Sequence, residues 1–103
     1  MSPQIVTTVT ARVDPHHESD LTTGFRDLTA GPMPDGLIRT ELLRGQHGNW
    51  RIQSVWRDRD ALEAVRLSTE PPAALELFRK VGADHSHEVF TLEHVYPSQS
   101  AET

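Results

Sequence analysis

The chain has 103 residues, long enough to bury one hydrophobic core and short for two. Ten Lys and Arg stand against fifteen Asp and Glu, a formal charge of −5 with no basic stripe, and nucleic acid is excluded as an expected partner because phosphate binding depends on such a stripe. The absence of cysteine excludes disulfides, thiol catalysis and thiolate metal sites, and a start without a leader pattern, in a sequence with no membrane-length apolar run, makes a cytoplasmic protein without membrane contact the expectation.

From Gln4 to Val13 the sequence alternates, with Ile5, Thr7, Val9, Ala11 and Val13 on one side and Val6, Thr8, Thr10 and Arg12 on the other, a β-branched pattern that predicts a strand. Asp14-Pro15 then starts a helix, the Asp capping free amides and the Pro losing no hydrogen bond at the first helical position. Leu21, Phe25 and Leu28 form its buried stripe, and Gly31, Pro32 and Pro34 stop it. Gly24 inside this helix costs about 1 kcal/mol against Ala, which points to close packing or to room left for a ligand.

Two strands, Leu37 to Arg44 and Trp50 to Arg57, are joined by a hairpin loop carrying Gly45 and Gly48. Asp58 caps a helix whose Ala61, Leu62 and Val65 face inward, Glu70-Pro71-Pro72 interrupts it, and Ala73, Leu75, Leu77, Phe78 and Val81 continue as a further short helix ended by Gly82. A last strand is expected from His87 to Tyr96, and the polar tail 97–103 is expected to be disordered beyond a single domain over 1–96.

This order, strand, helix, strand, strand, helix, strand, is the ferredoxin-like β-α-β-β-α-β unit, an α+β fold with a four-stranded antiparallel sheet. Helices cover one sheet face, and the other, expected to carry Val6, Leu42 and Val55, invites a second copy in a symmetric homodimer.

Trp56 ends the third strand beside a helix start, where an aromatic side chain either walls a pocket for a flat ligand or fills core. By the period of two it shares a strand face with Trp50, Ile52 and Ser54, and with Phe25 and Phe78 these are the candidates for ligand contact. Gln53, Ser54, Arg39 and His94 are the polar groups available near such a site, although the more usual role of strand arginines such as Arg39 and Arg12 is a solvated rim or an ion pair, here with Glu41 or Glu93. His16, His17 and His47 belong to a helix start and a loop. His85 and His87 share a strand face, with His94 and Glu88 directed away from it, so no metal site is expected.

Three stretches resemble the antibiotic biosynthesis monooxygenase family: residues 5–13, Pro34-Asp35-Gly36-Leu37, and above all the run from Trp50 through Trp56 to Asp58 and Leu62, a strand ending in Trp followed at once by an acidic cap and a helix. The resemblance spans about residues 4–95. It implies a dimeric α+β barrel and, for the family's enzymes, oxidation of aromatic polyketide-like molecules by dioxygen with no metal, flavin or other cofactor. Trp56 matches the family's strand-end Trp. Polyketide-oxidising members place an Asn four residues earlier, where this chain has Ile52, and haem-degrading members place a His on the second helical segment, which here offers Leu75, Leu77 and Phe78. The expected function is thus a cofactor-independent monooxygenase of a small aromatic molecule. The alternative is a homodimer that binds an aromatic metabolite without turnover, and a haem-handling protein ranks below both.

Overall fold

The computed structural model describes residues 3–67 and 73–96, so the expected Glu70-Pro71-Pro72 break and the tail 97–103 lie outside the described residues. The four strands are β1 (Ile5–Arg12), β2 (Leu37–Arg44), β3 (Asn49–Trp56) and β4 (His85–Thr91); the helices are α1 (Glu18–Ala30), α2 (Arg59–Arg66) and α3 (Ala73–Lys80). The strands pair antiparallel in the order β2-β3-β1-β4, which is the ferredoxin-like arrangement.

Local chemistry explains the boundaries. Asp14 accepts a hydrogen bond from the His16 backbone N–H at 2.9 Å, but the first turn it caps, Pro15–His17, is a 3-10 turn, and the α-helix begins at Glu18. Asp58 caps α2 as its position predicts, accepting from the Ala61 amide at 2.9 Å. In the hairpin loop, His47 and Gly48 adopt φ of 59° and 79°, and Gly45 N–H donates to Asn49 O at 2.8 Å to close it. At Gly36, φ is 88° and an added Cβ would collide with Ala61, so only glycine lets the β2 approach pass this closely under α2. Its carbonyl accepts from Arg57 N–H at 2.7 Å, which ties the entry of β2 to the exit of β3.

The helices cover the face that carries Ile5, Thr7, Val9 and Ala11. Leu21 of α1 and Phe78 of α3 are fully enclosed there with Val9, Val13 and Ile52, while Ile5, Trp56, Ala61 and Leu62 form a second cluster under α2. Gly24 serves close packing: a Cβ there would stand 2.6 Å from Leu77 Cδ1, so its absence lets α1 and α3 touch.

Two expectations change. The last strand runs from His85 to Thr91 and not from His87 to Tyr96; its ladder with β1 closes at Ile5 opposite Thr91, followed by one further backbone bond from Leu92 N–H to Gln4 O at 2.9 Å. Leu42 lies on the helix-covered face opposite Ile52, not on the bare face. The cause is a β-bulge: Leu37 pairs with Trp56 and Arg39 with Val55, so Ile38 is a surplus residue that inverts the alternation of β2. The bare face therefore carries Val6, Thr8, Val55, Phe90, Leu43, Arg39, Glu41, Arg51 and Gln53.

Candidate functional site

Between the covered face of the sheet and the three helices lies a cavity of about 300 Å³, the size at which small-molecule pockets begin. Its floor is set by register. Thr40 of β2 pairs with Ser54 of β3, Ser54 with Thr7 of β1, and Thr7 with Val89 of β4, which places three hydroxyls side by side in one row across the sheet. Ile52, Val9 and His87 make the next row towards the hairpin, and Trp56 and Leu37 belong to the row on the other side. Phe25 and Leu28 of α1, Leu62 and Val65 of α2, and Leu75 of α3 form the apolar roof.

The hydroxyls are partly used among themselves. Thr40 Oγ1 and Ser54 Oγ lie 2.9 Å apart, and the indole Nε1 of Trp56 donates to Thr7 Oγ1 at 3.0 Å. Two O–H groups sharing one mutual hydrogen bond leave one proton over, and Thr7, acting as acceptor, keeps its own. The floor thus keeps two neutral O–H donors that these bonds do not use.

Of the six residues singled out in the sequence, Trp56, Ile52, Ser54 and Phe25 line this cavity. Trp50 and Phe78 do not; both are packed in the adjoining core cluster. Trp50 shares the face of Trp56, but six residues of strand separate them by roughly 20 Å. There Trp50 is pinned to α1: its Nε1 donates to Glu18 Oε2 at 3.1 Å, and Arg44 stacks 4.8 Å from its ring centroid while reaching Glu18 Oε1 at 3.2 Å. Phe78, at 0% exposure, is packed in the core with Leu21, Val9 and Val81.

Among the other polar candidates only Ser54 faces the cavity. Arg39 and Gln53 lie on the bare face, where both donate to Glu41 Oε1 at 3.4 Å, and His94 is an exposed residue beyond the end of β4. His85 and His87 do share the covered face, opposite Ala11 and Val9, and only His87 reaches the cavity. Among the described residues no group of three or more His, Asp or Glu is placed to hold a metal ion, and no helix is long and apolar enough to cross a membrane.

Thr7, Thr40, His87 and Arg66 are cavity residues that sequence reasoning did not select. The face of Thr7 follows from alternation, but its bond to Trp56 joins stretches 49 residues apart, which alternation does not reveal. Thr40 was hidden by the bulge, His87 was weighed only as a metal ligand, and Arg66 is the last residue of a helix whose end the sequence did not fix.

No family model matches the sequence, and neither does any curated protein. Solved structures do match. The cofactor-independent oxygenase SnoaB of Streptomyces nogalater, in a variant form, is similar with a TM-score of 0.73 and 22% identity over 94% of this chain and 100% of that one. A Deinococcus radiodurans protein carrying the antibiotic biosynthesis monooxygenase name matches with a TM-score of 0.72 and 12% identity over 92% and 98% of the two chains. A heme-degrading protein of Mycobacterium tuberculosis, in its heme-free form, gives 0.70 and 16% over 95% and 100%. At these identities the likeness is one of fold, and it extends over the whole of each structure. The chain has the fold of the antibiotic biosynthesis monooxygenases.

Proposed function

We propose that this chain is a cofactor-independent oxygenase of a flat aromatic small molecule, held against Trp56 and beneath Phe25, and that it works in the cytoplasm as a homodimer of single domains spanning residues 1–96. The observation that carries this reading is the row of hydroxyls on the cavity floor, Thr40, Ser54 and Thr7, whose O–H groups not used in the Thr40–Ser54 and Trp56–Thr7 bonds are available to a ring oxygen of an enclosed aromatic. Such donors favour the phenolate or enolate that a hydroquinone or anthrone becomes on losing a proton, because they meet negative charge as it develops. That electron-rich anion reduces dioxygen directly. One oxygen atom then enters the substrate and the other leaves as water, so neither metal nor flavin is needed. The fold shared with SnoaB supports this chemistry.

Ile52 favours a second reading. It is 2% exposed in the floor row next to the hydroxyls and supplies no hydrogen bond where the resembled oxygenases have an amide, which suits a protein that binds an aromatic metabolite without oxidising it.

Dioxygen uptake by the purified protein against a panel of anthrones and hydroquinones, with Trp56→Ala as control, decides between them. Uptake that falls in the variant supports the oxygenase. Binding without uptake, read as a rise in melting temperature, supports the second reading, and neither binding nor uptake removes both.

A further inference from the structure

The cavity has a charge asymmetry that its apolar character hides. Fifteen acids outnumber ten Lys and Arg in the sequence, yet among the described residues no Asp or Glu lines the cavity, whereas Arg66 and His87 both do. Both are exposed residues, as are the lining residues Met33 and Pro34, so they mark where the cavity opens to solvent. Arg66 is the last residue of α2, one position after the roof residue Val65. Its guanidinium is held by Glu63 of the preceding turn, with Nη1 to Oε2 at 3.5 Å and both side chains about two-fifths exposed. A pair this long and this open contributes little and is easily exchanged. A guanidinium presents five donors in a planar fork, which a carboxylate matches better than one oxygen of Glu63 does at that distance.

We infer that the ligand is an aromatic carboxylate, its rings enclosed against Trp56 and its carboxylate at the opening on Arg66, where it displaces Glu63. This rests on the cavity being an aromatic-binding site, and it adds the charge and the orientation of the ligand. The hydroxyl row then meets the ring system from the floor while the anionic end stays at the solvent side, so a ligand enters ring-first. Glu63 acts as a stand-in anion that keeps Arg66 at the opening when the cavity is empty, and it holds back ligand affinity by the same competition. Arg66 is here a specificity-determining residue and has no part in proton or electron transfer.

The test compares two probes of equal ring size, anthracenecarboxylate and anthracenemethanol, titrated by fluorescence at neutral pH in low salt. Wild type should bind the carboxylate roughly three- to tenfold more tightly than the alcohol, the range of one partly exposed charge-assisted contact. Arg66→Gln should abolish that preference while leaving the alcohol's affinity unchanged, which also shows that the variant is folded. Glu63→Gln should raise affinity for the carboxylate alone, since the competing anion is gone. Equal affinities in wild type, or a preference that survives Arg66→Gln, overturn the inference while the aromatic site stands. Failure of both probes to bind overturns the aromatic site and this inference with it.

Discussion

The indole N–H of Trp56 donates to Thr7 Oγ1 at 3.0 Å across the two central strands. Trp56 pairs directly with Ile5, so Thr7 is its diagonal neighbour on the covered face. Trp56 is 7% exposed, and replacing Thr7 with Val leaves its N–H without a partner at a cost of about 1–3 kcal/mol. Thr7→Ser keeps the acceptor and should remain near wild type. Urea denaturation of the two variants measures the difference, and equal midpoints would show that the bond contributes nothing.

Leu77 is the reason Gly24 stays glycine. Gly24→Ala gains about 1 kcal/mol of helix propensity, but its Cβ meets Leu77 Cδ1 at 2.6 Å, so a net loss of stability is expected. Adding Leu77→Ala should relieve the clash, making the double variant more stable than the sum of the two single changes predicts. The coupling energy from a thermal or urea double-mutant cycle checks this, and simple additivity would count against the contact.

Phe78→Ala and Leu75→Ala separate core from cavity on one helix. Phe78 is wholly enclosed and should lose about 3–5 kcal/mol on truncation, with ligand affinity unchanged in whatever fraction stays folded. Leu75 is half-buried on the cavity roof, so its truncation should cost less stability and alter probe affinity.

The bare sheet face supplies a test of the proposed dimer. Val55 is 3% exposed within the single chain, so a charge there would damage the fold itself. Leu43 and Phe90 are 40% and 47% exposed and tolerate the change. Light scattering at micromolar concentration should give about twice the chain mass for wild type and close to the single mass for Phe90→Glu with Leu43→Glu. A wild-type monomer removes the dimer from the proposal.

Asp14 provides a pH readout. The backbone N–H of His16 and then its ring hold this carboxyl below its ordinary value. A depressed folded-state pKa means that the contribution is present above the unfolded value and is lost as pH falls through the folded one. Carbon-detected NMR titration should place the Asp14 midpoint below that of the same carboxyl in the urea-unfolded chain, and Asp14→Asn should remove the corresponding acid dependence of stability.

The fold was legible where single-residue chemistry decides it. Alternation found β1, Asp58 located the start of α2, and the residue order implied the sheet. Strand ends depend on partners, which is why β4 stops with β1 at Thr91. The site was legible along one strand: Ile52, Ser54 and Trp56 follow from a period of two. What lay beside them did not. Thr40 reaches the floor only because Ile38 shifts the register of β2, and Arg66 only because α2 ends over the opening. These are pairings between distant stretches of chain, and local pattern carries no trace of them.

That surplus residue has a consequence for solubility. β2 is an outer strand of the sheet, and its outer edge of free amides and carbonyls is a template on which a stranger's strand can grow. Deleting Ile38 would leave Leu37 opposite Trp56 and bring Arg39 opposite Val55 in plain succession, with every cavity contact of β2 in place. It would also straighten an edge that the bulge now twists out of true. One extra isoleucine, which lines no part of the cavity, thus breaks the regular edge of β2 on which another strand would pair.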